Sequence, residues 1–375
     1  MKGVFILVHK FSSPVNMIIE KNAVKNNAKL IASLGTYALI VTGKNSAEKT
    51  GALSDVTDAL DSENIKYAIF SSIAPNPTYD SVKEAADLGI LKGCDFVIGI
   101  GGGSPLDAAK AIAALIKNPG ISEEDAFASK FENGVCPIVA IGTTAGTGSE
   151  VTPYSVITGN DSRKKSIRSN LLLPAISIGD ITYISKMDAE LIKSTALDAM
   201  SHAIESYFCR IANDFSKTFA LRAVKLLIPE FETISAYGTE GLDDEDFENL
   251  YLASIYAGYA ISITGTAMCH TLSYYLSERK GIPHGKACAL YLPAFILHNI
   301  KWAPKESALF YDEVLRTDEE MRTLITDLTG TFDLKLTEED LDIIRPRLEN
   351  NQSLIKCLGE CPPSYAEEIM KALFS

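Results

Sequence analysis

The chain has five histidines: His9, His202, His270, His284 and His298. His202 lies in LDAMSHAIESY (197–207), an otherwise apolar, helix-favouring run, four residues after Asp198. That spacing puts both side chains on one helix face. Two polar groups leaving an apolar helix together need a partner: each other, a hydrogen-bond network or a metal ion. His270 lies in a second small-residue helix, AMCHTLSYYL, and His284 in GIPHG, where Pro283 and Gly285 set a turn that aims the imidazole. Imidazole nitrogens with one carboxylate oxygen suit Fe²⁺, Zn²⁺, Co²⁺ or Ni²⁺, and spacing does not choose among them.

A second kind of chemistry is written in DFVIGIGGGSPLDAAKAIA (95–113), which reads as strand, tight turn and helix. Gly101, Gly102 and Gly103 let the backbone approach a ligand without Cβ clashes. Ser104 suits an N-cap, Pro105 the first helical position, and Asp107 the acid of a capping box. A bare helix N-terminus at the end of a strand favours a pyrophosphate. Gly99-x-Gly101 followed by Ser104 lacks the last glycine of the usual dinucleotide fingerprint. A second small, polar loop, GTTAGTGSEVT (142–152), follows the run PIVAIG and can flank the same ligand.

These groups need a scaffold. β-rich runs at 37–42, 66–70, 95–100, 137–142 and 175–179 alternate with amphipathic segments. That order predicts a parallel sheet covered on both faces, hence apolar runs without strict alternation. From about Asp188 the chain reads as helix after helix, with turns near Asn213, Gly238 to Asp244, Gly281 to Pro283 and Asn299 to Pro304. The expected architecture is an α/β domain over 1–184 and an all-α domain over 185–375, with the site in the cleft between them.

Hydrophobic residues make up 46% and charged residues 22%, enough for a sizeable core. A net charge of -13 without a basic block argues against nucleic acid and anionic membranes as partners. The opening MKGVFILV is too short for a signal peptide and reads as a first strand, whose apolar edge could pair two copies into a homodimer. No uncharged stretch is long enough to span a bilayer. Seven scattered cysteines fit free thiols in a reducing cytoplasm, and Cys357 and Cys361, four apart, read as two of them.

Taken together, PNPTYD (75–80), GGGSPLDAAKAIA (101–113), IGTTAGTGSEVT (141–152), LDAMSHAIESY (197–207) and CHTLSYYLSERKGIPHG (269–285) resemble the iron-containing, or group III, alcohol dehydrogenases over nearly the whole chain. The resemblance implies a dinucleotide-binding α/β domain followed by a helical domain, the fold shared with dehydroquinate synthase. It implies Asp198, His202, His270 and His284 as the four metal ligands, with Fe²⁺ favoured because it readily accepts a fifth. It places a pyrophosphate against Gly101, Gly102, Gly103 and Ser104, and assigns Asn76, Thr143, Thr144 and Lys165 to the cofactor, with neighbouring lysines available in RKKS.

NAD-preferring members often carry an acid after the strand that here reads ALIVTGK. This chain has Gly43, then Lys44 and Ser46, which favours NADP(H) over NAD(H). Many members also have a histidine one turn after His270, suspected of relaying a proton. Here Tyr274 stands there, as a relay or as a pocket wall. The implied activity is reversible reduction of a small aldehyde or ketone to an alcohol. Alternatives on the same fold are a semialdehyde or phosphonate-aldehyde reductase, with Arg168 or Lys186 holding the acid, a glycerol dehydrogenase, or a silent nucleotide- and metal-binding subunit.

Overall fold

The computed structural model describes residues 9–349 and 351–374. The MKGVFILV stretch lies outside the described residues. The described chain divides into two compact units, Ser12–Met187 and the segment from Asp188 onward, and residues 9–11 group with the latter rather than with the α/β unit expected over 1–184.

The Ser12–Met187 unit holds eight strands: β1 (Asn16–Ile19), β2 (Tyr37–Gly43), β3 (Lys66–Ile73), β4 (Phe96–Gly101), β5 (Ile138–Gly142), β6 (Tyr154–Thr158), β7 (Lys164–Arg168) and β8 (Ile176–Gly179). Six form one parallel sheet in the order β1-β8-β5-β4-β2-β3, and β6 and β7 form an antiparallel hairpin. Alternation along β2 and β4 splits the core. Leu39, Val41 and Val97 pack with the Gly103–Lys117 helix on one face. Ala38, Ile40, Phe96, Ile98 and Ile100 pack on the other with Val56, Leu60 and Tyr183. Two buried faces explain the unbroken apolar runs.

Chain order sets the position of the glycine turn. From β2 the chain steps outward to β3, then returns to the other side of β2 as β4 and continues through β5. The reversal lies between β2 and β4, and the C-terminal ends of strands at such a switch point are where open α/β sheets bind ligands. Gly43 closes β2, Gly101 closes β4 and Thr143 follows β5, so three loops with candidate residues stand on adjacent strands.

Two features of this unit differ from expectation. β1 occupies Asn16–Ile19, inside a stretch that reads as amphipathic helix, and the β6–β7 hairpin interrupts the strand–helix alternation. The first is four residues long, and the second is polar on its outer side, so neither carries a strong apolar run.

The other unit is helical among the described residues. Its central helix, Ala189–Tyr207, packs against Asp214–Tyr237, Asp244–Thr264 and His284–Ala289. It is buried without a break from Ala196 to Tyr207, which is why it is apolar nearly all round. Side-chain caps fix its neighbours in phase. Asp188 accepts from Leu191 N, and capping boxes at Asn213–Ser216 and Asp243–Asp246 start the next two long helices. No single helix among the described residues is long and apolar enough to cross a membrane.

Candidate functional site

In the helical unit, three polar residues share one stripe of the central helix. Asp198, His202 and Glu205 stand at i, i+4 and i+7, all buried. Glu205 organises the helix that follows. Its Oε1 accepts from the backbone amides of Cys269 and His270, and its Oε2 lies 2.5 Å from His270 Nδ1. The Met268–Arg279 helix has no side-chain cap at Ala267, so this carboxylate satisfies its first amides. A carboxylate on Nδ1 also fixes the tautomer, leaving Nε2 of His270 as the bare nitrogen.

His284 opens the His284–Ala289 helix after Pro283. The next residue permits a very close approach: a Cβ on Gly285 would stand 1.7 Å from the carbonyl oxygen of Ser194 and 2.9 Å from Asp198 Cβ. Glycine here lets the short helix press against the central one and brings His284 to Asp198.

The result is a convergent set. Asp198 Oδ1 lies 3.4 Å from His270 Nε2, 3.8 Å from His284 Nε2 and 3.9 Å from His202 Nε2. His202 and His270 stack with ring centroids 4.5 Å apart. Asp198 Oδ1 and His270 Nε2 are buried and make no hydrogen bond, which is costly unless something else satisfies them. Donors about 2.1 Å from a tetrahedral ion stand about 3.4 Å apart, close to the spacings here. One carboxylate and three imidazoles so arranged could hold a divalent cation.

Asp198 and His202 have the charge states that a cation needs. Burial disfavours charge on Asp198, but His202, His284 and His270 outweigh it and hold the carboxyl well below the usual carboxylate range. Burial pushes His202 down to about 4 against the pull of Asp198, so its ring is neutral near pH 7 and its lone pair is available. His284 is the open member, its side chain 35% exposed against 3–7% for His270, Asp198 and His202.

Two residues join the cluster that the sequence reading passes over. One is Glu205, whose i+7 phase with Asp198 is the signal. The other is Cys288, one turn after His284: donor atoms of Asp198, His270, His284 and Cys288 all lie within 4.8 Å of one another. The remaining histidines stand elsewhere. His298 Nε2 donates to the Leu358 carbonyl, and His9 faces Asp214. Tyr274 lies parallel to the His284 ring, with centroids 6.1 Å apart. Burial, ahead of its neighbours, raises its phenol above the ordinary range.

In the α/β unit, Gly101 takes φ 147°, a conformation that disfavours any side chain, and a Cβ there would meet Pro105 at 2.7 Å. A Cβ on Gly102 would meet Thr144 Oγ1 at 2.8 Å, and one on Gly103 would meet Thr147 at 2.9 Å. Thr143 N donates to Gly101 O. The two loops therefore touch. Asn76, at φ 58°, donates its amide to Ser104 Oγ from the loop after β3.

The helix start corrects the sequence reading. Extended Gly102 is the N-cap and Gly103 is already helical, so Ser104 and Pro105 fall two positions later in the helix than expected. Asp107, fifth in the helix, is too far along for a capping box. Instead its carboxylate accepts from Ser149 Oγ at 2.6 Å and Val156 N at 2.9 Å. With no capping side chain over the first turn, the amides there are left for a ligand.

Beside Asp107, fully buried Lys110 donates to Ser149 Oγ, to the Thr152 carbonyl and to the Tyr154 carbonyl at 2.8–2.9 Å. Burial lowers the pKa of its amine to about 8. Burial raises that of Asp107, against the pull of Lys110, of its hydrogen bonds and of Lys164. Lys165, the neighbour of Lys164 on β7, pairs with Asp161 at 3.0 Å and sits over the Phe127 ring.

At the end of β2, a Cβ on Gly43 would find only ordinary contacts, the nearest being Ile73 O at 3.5 Å and Ser46 Oγ at 3.6 Å. Lys44 follows it and Ser46 opens a short helix, Ser46–Thr50. Lys186 donates to the Thr50 carbonyl and Arg168 lies over the Tyr154 ring, so both cations offered for an acidic substrate are engaged.

Residues 14–181 match the model of the iron-containing alcohol dehydrogenases, and residues 192–345 match the C-terminal model of the Fe-containing alcohol dehydrogenase family. The chain belongs to the iron-containing alcohol dehydrogenase family. It is an oxidoreductase of that family by descent in both units. It is 33% identical to the 1,3-propanediol dehydrogenase of Klebsiella pneumoniae over 276 residues, 73% of this chain and 70% of that one. It is 32% identical to the lactaldehyde reductase of Escherichia coli over 70% of this chain and 68% of that one. An iron-containing alcohol dehydrogenase of Thermotoga maritima has the same fold, with a TM-score of 0.89 at 32% identity over 98% of this chain and 99% of that one. The sulfoacetaldehyde reductase of Bifidobacterium kashiwanohense, solved with NAD⁺, follows at a TM-score of 0.87 and 27% identity, over 98% of this chain and 99% of that one.

Proposed function

We propose that this iron-type alcohol dehydrogenase reversibly reduces a small, uncharged aldehyde or ketone, using a divalent metal and NADP(H) in preference to NAD(H). The observation that carries the reading is the convergence of Asp198, His202, His270 and His284 around two buried donor atoms without hydrogen bonds. Bound to these groups, the cation would supply Lewis-acid polarisation of a carbonyl oxygen, and the nicotinamide would supply the hydride.

The chain's own residues then have distinct tasks. Asp198 provides the negative charge that offsets the cation. Glu205 holds His270 in one tautomer and one ring orientation. His284, the exposed ligand, marks the side from which a carbonyl compound approaches. Tyr274 keeps the His284 ring plane and acts as a wall, its raised phenol pKa being a poor match to proton relay near neutrality. The bare first turn at Gly102, Gly103 and Ser104 receives the pyrophosphate, flanked by Asn76, Thr143 and Thr144. Lys165, half-exposed on β7, is the lysine offered to the cofactor's phosphates.

Cofactor preference rests on Gly43, Lys44 and Ser46. Gly43 has room for a side chain, so the missing acid is not a matter of space. Its absence removes the repulsion of a 2′-phosphate, and Lys44 adds an attraction. Lactaldehyde and sulfoacetaldehyde, named for two relatives, are short aldehydes. The neutral one is the better guide here, since Arg168 and Lys186 are engaged within the α/β unit. A cytoplasmic setting completes the reading, supported by seven cysteines that are all free thiols.

The test is an activity screen of metal-loaded protein against short aldehydes and ketones with NADPH and with NADH. Turnover with NADPH that stops on chelation is expected. Metal-loaded protein that binds NADPH and reduces no carbonyl compound would overturn the proposal.

A further inference from the structure

The fourth residue after His284 is Cys288, and one turn of the His284–Ala289 helix places its sulfur over the imidazole. Sγ lies 3.9 Å from His284 Nε2 and 4.0 Å from Nδ1. It belongs to the compact donor group with Asp198, His270 and His284. Two other members of that group, Asp198 Oδ1 and His270 Nε2, are the buried atoms without a hydrogen bond. Cys288 is itself fully buried. Its thiol donates to Ser273 Oγ at 3.2 Å, and that hydroxyl donates onward to the His270 carbonyl at 2.8 Å. The thiol proton therefore has an acceptor away from the imidazoles, while the sulfur lone pairs face a cluster of metal-binding atoms.

We propose that Cys288 adds a sulfur donor to the metal held by Asp198, His202, His270 and His284. The inference rests on the metal-dependent reading above and deepens it by naming a soft ligand. Sulfur binds as thiolate, its proton passing to solvent as the bond to the cation forms. Donors about 2.3 Å (sulfur) and 2.05 Å (nitrogen) from a tetrahedral ion stand about 3.6 Å apart, within a few tenths of the Cys288–His284 spacing. A thiolate among imidazoles turns the site from one suited to Fe²⁺ toward one that prefers Zn²⁺ or Co²⁺. On this chain the soft donor would thus set which metal is retained.

Zinc-edge X-ray absorption on the zinc-loaded parent protein decides the point without any variant. One sulfur scatterer at about 2.3 Å beside nitrogen and oxygen is expected, and a shell of nitrogen and oxygen alone overturns the proposal. Cobalt loading gives the residue assignment. The parent should show visible ligand-field bands together with a near-ultraviolet thiolate-to-cobalt band. Cys288→Ser should lose only the latter, and Cys269→Ser should keep both. Visible bands without the thiolate band in the parent, or a thiolate band that survives in Cys288→Ser, sinks the sulfur ligand and leaves the metal centre standing. Failure of cobalt to bind the parent at all removes the metal-dependent reading, and this one with it.

Discussion

Glu205 holds His270 by both its backbone amide and its ring, so one carboxylate starts a helix and aims a histidine. Glu205→Gln keeps the shape and the amide acceptor while removing the charge behind Nδ1. Metal affinity should fall about 10- to 100-fold, the usual cost of losing such a partner. Titration of the apo variant with Zn²⁺ or Co²⁺ measures it, and an unchanged affinity would show that Glu205 only caps the helix.

Gly285 is where the short helix touches the central one. Gly285→Ala places a methyl group 1.7 Å from a backbone oxygen that cannot turn aside. The helices must part, costing about 1–3 kcal/mol or more, and His284 must leave Asp198. Expected are a lower melting temperature and a metal content well below one ion per chain. A variant that retains both would mean the contact is slack.

Chelation should separate the two units' tasks. The nucleotide candidates stand in Ser12–Met187 and the metal candidates in the helical unit. Apo-protein is expected to quench or enhance NADPH fluorescence with an affinity within about threefold of the loaded form, a free-energy change of roughly 0.7 kcal/mol or less. Carbonyl reduction should vanish and return on adding metal. Loss of NADPH binding along with activity would contradict independent sites.

Gly43→Asp tests cofactor choice. The side chain has room at the end of β2, and its charge would face the group that distinguishes the two cofactors. The ratio of kcat/KM for NADPH over NADH should drop by at least about tenfold, or 1.4 kcal/mol. No shift in the ratio would place the adenosine ribose elsewhere.

Glu230 supplies a pH dependence remote from the metal. Burial, reinforced by Asp246, pushes its carboxyl up to about 8, with Asn249 pulling it back and Asp243 adding to the rise. A group raised on folding contributes stability that is whole below its unfolded value, near 4.3, and is lost as pH rises through the folded one. Between pH 6 and 9 the parent should lose roughly 2–3 kcal/mol from this group, at 1.36 kcal/mol per unit. Glu230→Gln removes the loss, so its melting temperature relative to the parent should climb over that interval. A constant difference across the interval would mean that Glu230 is already ionised at neutral pH.

Much of this could be read in the chain. Strands buried on both faces announce themselves as apolar runs, which is why β2, β4, β5 and β8 were legible, while edge strand β3 shows through its β-favouring Tyr, Ile and Phe. β1 escapes because four residues, NMII, merge into the segment that follows. The hairpin escapes because KKSIR is polar on the outer side. In the candidate site, Asp198 and His202 stood out as polar residues in an apolar helix. Glu205 did not, because an acid near a helix end usually faces water. Ser104 was misplaced because the turn closes two residues earlier than capping preference suggests: Gly102, with no side chain, takes the extended position. Cys288 was hidden by its type, since a buried cysteine ordinarily behaves as a small apolar residue.

Lys110 carries a practical rule for anyone who rebuilds this protein. Its hidden amine clasps main-chain oxygens of Thr152 and Tyr154, while Asp107 on the same helix clasps the amide of Val156. The root of the hairpin is thereby bolted to the rod that begins at the glycine turn, whereas its tip, residues 160–163, lies in open water. Grafts that lengthen or recolour the tip leave the bolt untouched. Any graft reaching back to residues 152–156 reworks the nucleotide end as well.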